Sequence, residues 1–267
     1  MAFNVLLFLV IVVLLRRRIP TGKDFWHSCV VGVLIHGFYL GGTYFAISLG
    51  MPAGLSSLLV GIQPILTAVL LVVFASEQFK PSQWIGLSLG FVGIAMVLMG
   101  KMEWQSDLHK TLAIGVCLSS LFGITVGTLY QKKYCQQVDM VGGATVQYLA
   151  ALAMFLPIAM QLETMQVQWT TEFILTLIWL VVVLSCVAIL LLLYMVKNGA
   201  ASSVASVFYL VPPTTALQAW FAFGESFDWM GIVGFVLAAT AVYLVVKKPE
   251  LPMFKSKVAK QKRKIYL

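Results

Sequence analysis

Eight long runs of this chain contain no Asp, Glu, Lys or Arg: residues 26–47, 53–75, 82–99, 111–131, 142–161, 173–196, 203–224 and 229–246. A helix needs about 20 apolar residues to cross roughly 30 Å of hydrocarbon, and every run approaches or exceeds that length. A ninth run, Ala2 to Leu15, is apolar but shorter. The connections are brief and leave no room for a separate soluble domain. The chain is 60% hydrophobic and 10% charged, whereas soluble domains carry about a quarter charged residues. Such a chain could not keep its surface wet, so its solvent is lipid. The expected fold is an all-α integral membrane protein of about nine transmembrane helices. Residues 2–15 do not read as a signal peptide, because Arg16-Arg17-Arg18 follows the apolar run instead of preceding it.

The formal charge of +8 is placed asymmetrically. With alternate loops on opposite faces, one face holds 16 of the 18 Lys and Arg, eight of them between Lys247 and Lys264. The other face holds only Lys101 and Lys110. By the positive-inside rule the 16-residue face is cytoplasmic, and the tail from 249 to 267 is a basic segment beside anionic lipid. No basic fold or motif accompanies the charge, which argues against nucleic acid as a partner. The four cysteines show no paired spacing, so neither a disulfide framework nor a metal site is read from them. No cofactor is implied.

The chain also matches itself. Ala53–Phe79 and Ala201–Phe227 align without a gap at an offset of 148, pairing Pro64 with Pro212, Thr67 with Thr215 and Glu77 with Glu225. Trp84-Ile85-Gly86 then matches Trp229-Met230-Gly231. Each copy reads as a long helix with a central proline, an acidic exit and a following Trp-x-Gly helix start. Five helices separate the copies, so they face opposite ways. Inverted repeats with matched interruptions point to a transporter whose site lies near midplane at the repeat interface. A lone proline is most often a kink; Pro64 and Pro212 are candidates for the pathway because they are paired. Pro157 and Pro213 are left as helix shape.

Polar side chains within spans are costly and usually face an interior. Gly32, His36, Tyr39 and Thr43 share one helical face, and His36 is the only His, Lys, Arg, Asp or Glu so deep in a run. Ser56, Gln63 and Thr67 form a second stripe, and Ser120, Gly123, Gly127 and Tyr130 a third. Gln147, Tyr209, Thr215 and Gln218 complete the polar inventory. The candidate pathway residues are His36, Tyr39, Gln63, Pro64, Thr67, Gln147, Tyr209, Pro212 and Thr215. The plainer role for each is interhelical hydrogen bonding, and for Gly37/Gly41, Gly86/Gly90 and Gly123/Gly127 close helix packing. An intramembrane enzyme would need paired acid, base or nucleophile at depth. Only His36 is there, so no catalytic residue is assigned. Without a buried charge, dedicated cation efflux and phosphate-bearing substrates are disfavoured, and neutral or zwitterionic metabolites fit better. A non-transporting scaffold or sensor and a passive channel are the competing readings; a homodimer stays open.

The ordered set Ala53-Gly54-Leu55-Ser56-Ser57-Leu58-Leu59, Ser76-Glu77-Gln78 and Trp84-Ile85-Gly86 resembles the EamA-like branch of the drug/metabolite transporter superfamily. So does the later set Gly127-Thr128-Leu129-Tyr130-Gln131-Lys132-Lys133, Gln147-Tyr148, Tyr209-Leu210-Val211-Pro212 and Gly224-Glu225. The resemblance covers essentially the whole chain. It implies ten helices in two five-helix repeats, here 1–100 and 108–248, with both termini cytoplasmic in a bacterial inner membrane. It further implies export or exchange of amino acids or other small metabolites. The run 2–15 resembles the family's second helix, so the resemblance predicts a first helix encoded upstream. The other reading is nine segments with the N-terminus outside.

Overall fold

The computed structural model describes residues 1–51, 56, 59–98, 110–162, 164, 166–199, 201–210 and 229–246. Among these residues every regular element is helical. We number them α1 (Ala2–Leu14), α2 (Gly22–Ser48), α3 (Gln63–Ala75), α4 (Pro81–Leu98), α5 (Lys110–Tyr134), α6 (Met140–Leu162), α7 (Thr171–Asn198), α8 (Ala201–Val207) and α9 (Trp229–Val246). Four of them, α2, α5, α6 and α7, are long and apolar enough to cross a membrane by length and composition; α1 and α3 are shorter apolar helices.

Helix ends follow local chemistry. Gly50, at φ 91°, closes α2: its N–H bonds the Ile47 carbonyl and the Met51 N–H bonds the Ala46 carbonyl. That is the Schellman pattern, whose left-handed residue is best tolerated as glycine. Asp139 caps α6 by accepting from the Val141 and Gly142 N–H groups, each at 3.0 Å, while pairing with Arg17 at 3.5 Å. Thr170 caps α7 by accepting from the Phe173 N–H. Relative to the apolar run 26–47, α2 begins four residues earlier, because Gly22-Lys23-Asp24-Phe25 joins its first turn with Asp24 at the favourable N-terminal end.

The run 53–75 does not form one continuous helix with a proline inside it. Gly61 and Ile62 form a turn, and α3 starts at Gln63 with Pro64 in its first turn. The physical reason is covalent: residue 64 has no N–H, so the Val60 carbonyl loses its helical donor. The second copy behaves likewise. There α8 ends at Val207 and Phe208–Leu210 tighten into a 3-10 turn just before Pro212. At the repeat offset of 148, residues 208–210 correspond to 60–62, so both copies are interrupted at one place. Residues beyond Leu210, including Pro212, Thr215 and Gln218, lie outside the described residues until Trp229.

A second matched pair was not legible in the sequence. The middle of α2, Gly32–Gly41, and the middle of α7, Trp179–Ala188, are π-helical, each flanked by α-helix. They lie 147 positions apart, within one residue of the repeat offset. A π segment is rare and tends to mark functional places in helices.

Packing is set by glycine. α5 lies on α2 with Gly123 against the Leu34 carbonyl and Gly127 against Ile35. α4 lies on α9 with Gly93 against the Gly234 carbonyl and Ala238, and Gly86 against Ala241, Leu244 and Val245. Three apolar clusters result. One joins α2 and α5 through Val31, Ile35, Ala46, Cys117 and Ile124; one joins α3, α4 and α9 through Ala68, Leu87, Ile94 and Ala238. The third joins α1, α6 and α7 through Phe8, Tyr148 and Leu193.

Candidate functional site

His36 sits in the π segment of α2 and is fully buried. Its ring stacks on Tyr148 of α6, with centroids 4.2 Å apart and planes 23° apart. Tyr148 in turn stacks on Phe8 of α1 at 5.3 Å and donates its hydroxyl to the Ser185 carbonyl of α7 at 3.1 Å. Asn4 of α1 donates to the Ser185 hydroxyl at 3.0 Å. Two helices, α1 and α7, thus hold Tyr148 in place, and Tyr148 holds the imidazole.

The neighbour of Tyr148 on α6 is Gln147, also buried. Its Nε2 donates to Gln131 Oε1 of α5 at 3.0 Å. Gln147 adjoins Tyr148, on which His36 stacks, and its backbone lies against Gly32, one turn of α2 from His36. Yet neither imidazole nitrogen, nor Gln147 Oε1, is engaged in a hydrogen bond of ordinary geometry. Close approach here depends on Gly32, because a Cβ at that position would run into the Gln147 backbone. The structure therefore brings His36 and Gln147 together and adds Gln131, Tyr148, Asn4 and Ser185, which sequence reasoning did not select. A signal existed for Gln131, which stands four residues after Gly127 on the polar stripe of α5.

Gln63, Pro64 and Thr67 form a separate buried group on α3, the helix that packs against α5 and α8. Neither atom of the Gln63 carboxamide nor the Thr67 hydroxyl is hydrogen-bonded. Ser56, on the other side of the break, touches Cys117 of α5 at 3.5 Å. The groups of His36 and Gln63 are carried on different elements, and α5 packs against both of them. Tyr39 is half-buried and packs on the α2–α5 cluster. Tyr209 is fully buried, but its hydroxyl donates to the Leu87 carbonyl of α4 at 2.9 Å and its ring lies on Gly90. Its polar atom is spent on holding α4 to the 3-10 turn.

A polar group buried without a partner costs about 1–3 kcal/mol, and in a bilayer the cost is not relieved by water. His36, Gln147, Gln63 and Thr67 together present unused donors and acceptors with no fixed charge among them. Such a set is suited to a polar, uncharged or internally balanced ligand. Beside Gly37, next in sequence to His36, an apolar cavity of about 570 Å³ opens between α2, α5 and α6, lined by Gly41, Phe45, Val116, Met154 and Phe155.

Two stretches of the chain, residues 1–99 and 111–247, match the model of the EamA-like transporter family. The chain belongs to the EamA-like transporter family. It is 29% identical over 244 residues to the uncharacterized transporter YvbV of Bacillus subtilis, covering 91% of this chain and 79% of the relative. It is 22% identical over 251 residues to the inner membrane transporter YedA of Escherichia coli, covering 91% and 80%. It is 24% identical over 212 residues to a probable amino-acid metabolite efflux pump of Salmonella typhimurium, covering 75% and 70%. A solved crystal structure shares the fold with a TM-score of 0.76 at 13% identity, covering 91% of this chain and 85% of that one. Each EamA-matched stretch contains one π segment and one proline-associated break.

Proposed function

We propose that this EamA-family protein is a secondary transporter of a bacterial inner membrane that exports or exchanges small neutral or zwitterionic metabolites, amino acids among them, by alternating access. The observation that carries the reading is the double match of interruptions: π segments at 32–41 and 179–188, and breaks at 61–62 and 208–210. A membrane helix gives up regular hydrogen bonding at depth only where protein or a cavity takes over. Two such interruptions per half, at offsets that agree within one residue, support an inverted pair of repeats, 1–100 and 108–248, moving about a shared site. The candidate pathway is His36, Tyr39, Gln63, Pro64 and Thr67 from the first repeat with Gln147, Tyr209, Pro212 and Thr215 from the second. Zwitterion ends would be met by backbone dipoles and amides, since no side-chain charge accompanies the buried groups.

The test is a counterflow screen of purified protein in liposomes against labelled amino acids and neutral metabolites. Saturable, trans-stimulated uptake of at least one compound is the expected result. Unsaturable flux without trans-stimulation would leave a channel, and no flux in an active-protein control would leave a scaffold. Orientation is tested with single-cysteine reporters: a tail reporter between 255 and 264 should resist an impermeant reagent added to intact cells. Native Cys135 makes a poor reporter, because burial pushes its thiol up to about 11, against a weaker opposing bond from Ser28.

A further inference from the structure

α1 and α2 are closed by the same motif but with different residues in it. At the end of α1 the Arg16 N–H bonds the Val13 carbonyl and the Arg17 N–H bonds the Val12 carbonyl, again the Schellman pattern. Its left-handed position, filled by Gly50 after α2, is filled here by Arg16 at φ 48°. A residue with a Cβ is disfavoured in that conformation, so the backbone alone would be better served by glycine. The rest of the turn is fixed on α6. Arg17 pairs with Asp139 at 3.5 Å, and the Arg18 carbonyl lies where a Cβ at Gly142 would stand. Arg16, Arg18 and Lys23 are exposed, and among the described residues their side chains have no hydrogen-bond or ion-pair partner.

Apolar surface flanks these cations along the chain. Before them, Leu6, Val10, Val13 and Leu14 form an exposed stripe at helical spacing on α1, while Val5, Phe8 and Val12 are buried. After them, Trp26 and Val30 are exposed one turn apart on α2. α1 and α2 both pack on α6, so the cations and both stripes belong to one three-helix corner. In a bilayer such stripes meet acyl chains, and an indole at a helix start sits at headgroup level.

We propose that the α1–α2 turn is a binding site for an anionic glycerophospholipid, with the phosphate held by Arg16, Arg18 and Lys23 and the acyl chains lying on the two stripes. Sidedness alone asks for basic residues in this loop. It does not ask for one in a left-handed position, or for a turn pinned to α6. Guanidinium suits the task, because its planar fork meets phosphate oxygens two at a time. A free phosphate would use the cations and leave the stripes unused. A zwitterionic lipid would bring its own cation to a corner that already holds three unpaired ones. The site is independent of the transported metabolite.

Melting of the full-length protein in neutral detergent, titrated with dioleoylphosphatidylglycerol, tests this. A saturable rise in melting temperature is expected, with no comparable rise from dioleoylphosphatidylcholine. Arg16→Gly should melt no lower than wild type without lipid, because glycine relieves the left-handed turn. Its apparent affinity for phosphatidylglycerol should fall about fivefold, and that of Lys23→Gln likewise, the fold-change that corresponds to about 1 kcal/mol per basic residue near an anionic surface. A protein whose basic residues between Lys255 and Lys264 are replaced by glutamine should keep the response. Equal rises from the two lipids, an equal rise from glycerol phosphate, or a response lost with the tail charges and kept in Arg16→Gly overturns the proposal. So does an Arg16→Gly protein that melts below wild type without lipid, since Arg16 would then serve the fold itself.

Discussion

α2 and α7 hold the same place in the two halves and carry the same π interruption, yet they are equipped differently. In the most apolar window of α2 a third of the residues are buried, and in that of α7 none are. The cause is in the sequence. α2 contains Gly32, Gly37, Gly41 and Gly42, which let α5 and α6 approach its backbone, whereas 171–198 contains no glycine and presents Trp179, Leu180 and Val182 outward. At the 147-residue offset the buried His36 corresponds to Val183, and Gly32 to Trp179. The π interruption is repeated, but the imidazole and the close-packing glycines stand only in α2, while α7 contributes Ser185.

The most severe way to break this comparison is to fill the glycine side of it. In Gly32→Val the new Cβ meets the Gln147 backbone, which cannot swing away as a side chain would. The expected loss is about 3 kcal/mol or more, the upper end of overpacking costs. The counterpart Trp179→Ala, on a side chain 60% exposed, should change stability by under about 0.5 kcal/mol. Thermal melts of the two purified variants decide it. Equal losses would mean that α7 is covered as tightly as α2.

The second contrast concerns transport. His36→Ala and Gln63→Ala should each lower amino-acid counterflow by about tenfold, equivalent to roughly 1.4 kcal/mol in the transport barrier. Val183→Ala, at the position equivalent to His36, should stay within about twofold of wild type, or roughly 0.4 kcal/mol. Normal transport by both polar variants would reduce the buried stripes to packing features. Gln147→Leu sharpens the same point. It strands Gln131 without its partner, so melting should fall by about 1–3 kcal/mol in addition to any transport defect.

How much of this was legible beforehand depended on whether a residue type enforces the feature. The helical membrane architecture was legible because uncharged runs of this length have few other solutions. The break near 61–62 was half legible. Pro64 announces lost hydrogen bonding through its own covalent structure, but whether the helix kinks or stops depends on Gly61 and the packing around it. The glycine contacts of Gly86 with α9 and of Gly123 and Gly127 with α2 followed from small-residue spacing, although their partners did not. The π segments were invisible: Gly32–Gly41 and Trp179–Ala188 share no identical residue at the 147-residue offset that superposes them and only Val33/Val181 at the repeat offset of 148, since any apolar sequence can host an i to i+5 bond. The Gln147–Gln131 bond was hidden for another reason, because a single sequence records which polar residues are buried but not which of them meet.

The smallest contrast lies in the two breaks themselves. Tyr209 in the second copy corresponds to Gly61 in the first. Tyr209 fills its break, laying its ring on Gly90 and donating to the Leu87 carbonyl at 2.9 Å. Gly61 brings no side chain to the turn it occupies. The second break is thus propped against α4 by a side chain, while the first relies on backbone geometry and on Pro64. Tyr209→Phe keeps the ring and removes only the hydrogen bond, so it should cost about 1 kcal/mol, the net worth of a typical buried bond, because the Leu87 carbonyl keeps its own helical donor in α4. Counterflow should be unchanged if the hydroxyl is structural. A Tyr209→Phe variant that melts like wild type but transports poorly would reverse the assignment. The hydroxyl would then leave Leu87 during the cycle to meet substrate, and the second break would contribute chemistry as well as scaffold.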